Sequence, residues 1–116
     1  MAEASQSRKH RGYATERLVA RYWQESGFPY AEVVRGQGSD LTGTGPVRCE
    51  IKARRGFNPL EWLRQASGNA RHNDVPCVVV RSNGQGPKDI DNWLVMCSHE
   101  TWLRLLNEAG YGAGAE

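Results

Sequence analysis

The sequence predicts a small mixed α/β domain with one central mixed β-sheet flanked by helices. Three observations carry that expectation. Residues 12–27 hold an apolar arc at helical spacing, residues 47–53 alternate apolar and charged side chains, and residues 76–81 (PCVVVR) form an unbroken run rich in β-branched residues. With 116 residues, 39% of them hydrophobic, the chain has material for one core. A second full domain is excluded.

Residues 1–11 are polar and small, contain SRKHR and show no period that could bury a face, so they read as a flexible basic arm ahead of a single domain over residues 12–110. In residues 12–27, Tyr13, Leu18, Val19, Ala20, Tyr22 and Trp23 share one broad arc, opposite Arg17, Arg21, Gln24 and Glu25, and Gly27 is a natural stop. Glu16 falls inside the apolar arc, with Val19, Ala20 and Trp23 at i+3, i+4 and i+7. After the Phe28-Pro29 turn, residues 30–35 (YAEVVR) read as a strand and residues 36–38 interrupt it. A short strand follows over 39–42, then a tight turn over 43–46. Along residues 47–53, Val47, Cys49, Ile51 and Ala53 face the core, while Arg48, Glu50 and Lys52, with Arg54 just beyond, face the other way.

Asn58-Pro59 opens a second helix, Asn at the cap and Pro at the first helical position, which runs to about Arg71 with Leu60, Leu63 and Ala66 or Ala70 inward. The run at 76–81 lacks alternation, the pattern of a central strand covered on both faces. Residues 82–92 (SNGQGPKDIDN) are a loop by composition and residues 93–97 (WLVMC) another strand. Ser98 caps a final helix reaching about Ala109, with Trp102, Leu105 and Leu106 inward, and residues 111–116 read as a frayed tail.

Net charge is only +2, yet it is unevenly spread: residues 8–72 carry twelve Lys or Arg against six Asp or Glu, residues 73–116 three against six. A basic stretch of that kind is expected where one face meets a polyanion. No segment is apolar for long enough to span a bilayer, and the N-terminal residues lack the apolar core of a secretory signal, so the expected location is intracellular, in the cytoplasm, with no membrane partner. Cys49, Cys77 and Cys97 have neither CxxC nor Cys/His zinc spacing and read as buried thiols. Trp62, Trp93 and Trp102 suit a core or a dimer interface better than base stacking.

Chemistry gathers at four residues: Glu16, Asp40, Glu50 and Lys52. Positions i and i+2 of a strand project to the same face roughly 7 Å apart, so Glu50 and Lys52 reach one site while Ile51 anchors the other side. An Asp from an adjoining strand can join them. Two carboxylates and the Ile51 carbonyl offer hard oxygen ligands for Mg²⁺ or Mn²⁺, with room for water and a phosphate oxygen. An ionised Glu16 left alone in an apolar arc costs several kcal/mol, so a metal, its water or a basic partner is expected beside it. Lys52 would offset charge that builds up in a transition state, or simply pair with Glu50.

The arrangement G-Y-x-x-E-R in the first helix, G-x-G-S-D before a short turn, E-I-K in the next strand and W-L-R-Q-A in the second helix resembles the PD-(D/E)xK nuclease superfamily. The resemblance spans residues 12–80 and is nearest to the archaeal-type Holliday junction resolvases, with similar small enzymes in phages. It implies a small restriction-endonuclease-like fold, with Glu16, Asp40 and Glu50 contributing to a metal site with the Ile51 carbonyl, and Lys52 as catalytic lysine. It also implies that Arg17 meets DNA, that Ser39 belongs to a glycine-serine loop beside the site, and that Gln65 lies close to the metal. Here Ser39 directly precedes Asp40 and no proline is present, a shorter loop than is usual in these resolvases. Arg8, Lys9, Arg11, Arg54 and Arg55 are plausible phosphate contacts.

The expected activity is therefore Mg²⁺-dependent endonucleolytic cleavage of branched DNA, four-way junctions above all, by a homodimer whose paired sites nick two strands. Two alternatives stand beside it: a repair or restriction-type nuclease acting on linear, flap or mismatched DNA, and a non-catalytic DNA-binding module of the same fold.

Overall fold

In chain order the elements are α1 (Ala2–Glu25), β1 (Glu32–Val33), β2 (Leu41–Thr42), β3 (Val47–Ala53), α2 (Pro59–Gly68), β4 (Val75–Arg81), a 3-10 turn (Pro87–Asn92), β5 (Leu94–Met96) and α3 (His99–Glu108). The structure is a computed structural model that describes residues 2–35 and 38–113, with side chains from residue 12 onward. The expected class, helices around a mixed sheet, is what forms. β3 and β4 run parallel, in register from Val47 opposite Val75 to Ala53 opposite Arg81, and β5 returns antiparallel to β4. A parallel pair needs a crossover, and α2 supplies it. β4 is the middle strand of the three, as its unbroken apolar run requires.

β1 and β2 form an antiparallel pair beside this sheet. Two backbone hydrogen bonds join the pieces: Val34 N–H donates to the Asp40 carbonyl (2.9 Å) and Asp40 N–H to the Cys49 carbonyl (2.9 Å). The turn between β2 and β3 admits only glycine at Gly43, where φ is +75° and a Cβ would collide with the Tyr30 carbonyl.

Apolar side chains pack on both sides of the sheet. Cys49, Ile51, Cys77 and Val79 meet Val19 and Ala20 of α1, with Leu41 and Trp93; on the other side Val78 and Val80 meet Trp62 and Ala66 of α2. Local signals place the ends of the helices. Phe28 N–H closes back on the Trp23 carbonyl (2.9 Å) around Gly27 at φ +109°, and the two rings meet at 5.2 Å. The Ser98 side chain accepts from Thr101 N–H (3.1 Å), a cap worth about 1 kcal/mol. Asn58 does precede Pro59 at the start of α2, although its side chain makes no cap bond.

Several expectations are corrected. The backbone is helical from Ala2, so the arm proposed for residues 1–11 is not separate from the first helix. Residues 2–11 contain no Pro or Gly and are rich in helix formers, and extending an existing helix avoids the cost of nucleation. The strands at 30–35 and 39–42 shrink to two residues each, because only those positions pair. The second helix ends at Gly68, with Leu60 exposed and Trp62 in its place in the core. Residues 87–92 of the expected loop form a 3-10 turn. In α3 the buried residue is Thr101, whereas Trp102 is 52% exposed, and neither core cluster includes a residue of α3 among those described. The third strand does not have one open face either: Glu50 and Lys52 are buried, at 4% and 8% exposure, because α2 lies over them.

Candidate active site

Asp40 is fixed by the chain on both sides of it. Its backbone bonds to Val34 and Cys49 hold it at the edge of β3, and its Oδ2 accepts from Ile51 N–H at 2.7 Å. The N–H and C=O of one strand residue point to the same edge, so the Ile51 carbonyl faces the side on which Asp40 stands. Glu50 and Lys52 flank Ile51 and share the α2 side of the sheet with Val78 and Val80, their register partners on β4. From α2, Gln65 Oε1 accepts from Lys52 Nζ (2.7 Å) and the Asn69 amide donates to Glu50 Oε1 (3.3 Å).

The electrostatics record how closely the acids gather. Burial, followed by the charge of Asp40 and a hydrogen bond shared with it, pushes the Glu50 carboxyl up to about 7 against the opposing pull of Lys52 and Asn69. Glu16, half-buried on α1, is raised first by burial and next by Asp40, while Arg35 and Lys52 act the other way. Two elements and a loop thus bring Glu16, Asp40, Glu50 and Lys52 into one electrostatic neighbourhood.

Asp40 and Glu50 touch; Glu16 couples to Asp40 through charge. Among the described residues no three His, Cys, Asp or Glu side chains group to hold a metal between them. The expected set of Asp40, Glu50, Ile51 and Glu16 is accordingly narrower at its centre, two carboxylates and one carbonyl, with Glu16 outside. That centre still fits a small hard cation: two acids held together against their repulsion are what a divalent ion relieves, and all three donors are oxygen.

The predicted DNA contacts divide. Gln65 stands against Lys52, as expected of a residue near the site. Ser39 is half-buried beside Asp40, and Arg17, Arg54 and Arg55 are exposed. The side chains of Arg8, Lys9 and Arg11 lie outside the described residues. Three residues given no role at the site from the sequence belong to this region: Asn69, Arg35, and Tyr13, whose ring carries the Arg35 guanidinium at 4.2 Å. Asn69 was within reach of sequence reasoning, since it follows Gln65 by four residues, at the C-cap of α2. Arg35 was not, because nothing local ties it to Glu16.

No family model, curated protein or solved structure matches the chain. The site is therefore read from its own geometry. Among the described residues no helix is long and apolar enough to cross a membrane.

Proposed function

We propose that the protein is a metal-dependent DNA endonuclease with a small restriction-endonuclease-like fold, acting on four-way junctions as a homodimer. The observation that carries this reading is the meeting of Asp40, Glu50 and Lys52 at one sheet edge, with Glu16 coupled to them from α1. Support for the fold comes from the element order, helix, three strands, crossover helix and a strand parallel to the third.

In this reading Asp40, Glu50 and the Ile51 carbonyl hold Mg²⁺, with Mn²⁺ able to substitute. The bound cation would supply Lewis acidity toward a phosphate oxygen and a lowered pKa for water. The chain's own residues do the rest. Ile51 N–H keeps Asp40 from turning away, and Asn69 steadies Glu50. Gln65 holds the Lys52 ammonium in place, where it offsets the charge gathering on the phosphate as water adds to phosphorus and the bridging P–O bond breaks. The water's proton is lost to solvent or a nearby carboxylate, and the departing oxygen takes one up. Exposed Arg17, Arg54 and Arg55 meet phosphates around the site.

A junction presents two strands to cut, so a two-fold pair of sites is the economical arrangement. Apolar surface for such a pairing exists on β5 and α3, where Leu94, Val95, Trp102 and Leu103 are all about half exposed or more. The deciding experiment is nicking of an immobile junction and of a matched linear duplex, with and without Mg²⁺, alongside light scattering for the mass in solution. Metal-dependent cleavage of the junction in preference to the duplex is expected. Equal rates on both would move the substrate to linear DNA, and binding without cleavage in any metal would leave a DNA-binding module.

A further inference from the structure

Arg17 stands on a flank of α1 that continues beyond the acid cluster. There an open groove of about 590 Å³ runs between α1 and β1, lined by Ala14, Arg17, Leu18, Arg21, Gln24 and Val33, with Glu32 on the strand side. Its apolar floor and cationic rim differ from the acidic centre. Arg17 and Arg21 follow at i and i+4, so their guanidinium groups rise along one face of the helix, about 5.4 Å per turn, and one turn further on the Gln24 amide donates to the Ala31 carbonyl (2.7 Å) and closes the end of the groove.

A ring joins that row to the candidate active site. The Tyr13 ring has the Arg17 guanidinium 5.6 Å from its centroid and that of Arg35 at 4.2 Å. Among the described residues neither arginine forms an ion pair, and the charge of Arg35 reaches Glu16. Positive charge therefore runs from the edge of the acid cluster, across Tyr13, into the groove. Arg21 is paired with Glu25 at 3.5 Å, but both side chains are largely in solvent, where such a pair contributes little and is readily exchanged for another anion.

We propose that this groove seats the phosphodiester backbone of the nucleic-acid strand leading away from the acid cluster, an inference that rests on the endonuclease reading. Phosphates lie along Arg17 and Arg21, and sugar edges lie on Leu18 and Val33. The Glu32 carboxylate repels phosphate from the far wall and keeps the backbone on the α1 side. Charge complementarity selects this occupant, because Arg35, Arg17 and Arg21 in succession from the acid cluster along α1 suit a regularly charged polymer.

The test is equilibrium binding of a labelled four-way junction by the full chain in EDTA, across a salt series. Arg21→Ala should weaken binding about threefold and lower the salt slope by about 0.9 for each phosphate no longer neutralised. Arg64→Ala is the matched control, since Arg64 sits in a similarly exposed pair with Glu61 (3.8 Å) on α2, away from the groove; it should change neither quantity. Glu32→Gln should tighten binding. Equal slopes for the Arg21 and Arg64 variants, in a wild-type protein that binds the junction, would overturn the seat and leave the endonuclease reading intact. Loss of self-association in Arg21→Glu, with junction binding unchanged, would give the groove to a second copy and also overturn it. A wild-type protein that binds no DNA would remove both. Circular dichroism melts show that each variant is folded, and the exposed positions make that the expected result.

Discussion

Glu50 and Asp74 both lie beside the β3–β4 pair, each with a cation and a hydrogen-bond donor at hand, and their carboxyls are shifted in opposite directions. Asp74 accepts from Arg71 N–H (2.8 Å) and from Arg48 Nε (2.9 Å), and these donors, the backbone one first, hold its carboxyl below the usual range. Its own carbonyl accepts from Arg104 of α3 (2.7 Å), so one residue ties together β3, the turn before β4 and the last helix. Glu50 is buried at 4% exposure, pressed against a second acid, and pushed up to about 7. One carboxylate is satisfied by its neighbours and the other is held against them. The contrast teaches which acid serves the fold: Asp74 is held by donors that satisfy it, whereas Lys52 and Asn69 relieve only part of the cost of Glu50, the acid that the proposed chemistry uses.

The largest effect that could break this contrast comes from the acids themselves. Asp40→Asn or Glu50→Gln should lower Mg²⁺-dependent nicking by about 10³ or more while leaving the melting temperature equal or higher, because crowding is removed. Single-turnover nicking and a thermal melt on the same preparations check this. A variant that still nicks within tenfold of the parent, or one that unfolds, would put Glu50 among the structural acids.

Asp74→Ala should behave in the opposite way, losing on the order of 5 °C in melting temperature with cleavage below that temperature changed by no more than about twofold. Rates falling in step with those of Glu50→Gln would erase the distinction.

Acidity sharpens the comparison next. With its folded pKa raised from 4.5 to about 7, Glu50 keeps a proton that the unfolded chain has already lost, so metal-free stability falls as pH rises across that window and is flat above it. Asp74, lowered from 3.8, contributes stability that is present above that value and lost as pH falls below it. Melts in EDTA should therefore decline by a few degrees from pH 4.5 to 7, and Glu50→Gln should make the decline shallower, leaving the part that belongs to the raised Glu16. An unchanged slope in that variant would assign the decline to other groups.

The smallest effect belongs to the frame. Asn69→Ala should slow cleavage about threefold and Asn69→Asp more, since the amide supports Glu50 whereas a carboxylate repels it. Identical rates for the two variants would deny Asn69 a positioning role.

Much of the architecture was legible because its signals are local. Gly27, Pro59 and Ser98 mark helix ends where the chain alone decides them, and PCVVVR declared a strand covered on both faces. Glu50 and Lys52 were legible as one face of one strand, for a period of two is a property of the backbone. Trp102 shows the limit: its spacing on α3 is that of a core residue, yet it is half exposed, since no layer of the described residues covers it.

By itself, then, the amino-acid order determined where the elements form, which residues share a face, and which four side chains had chemistry to offer. Only the tertiary structure decided that α2 buries Glu50 and Lys52, that the Ile51 amide aims Asp40 at Glu50, and that Arg35 reaches Glu16. The physical reason is that periodicity and capping are properties of neighbouring residues in the chain, whereas burial and the interaction of charges depend on which distant segments come to lie over them.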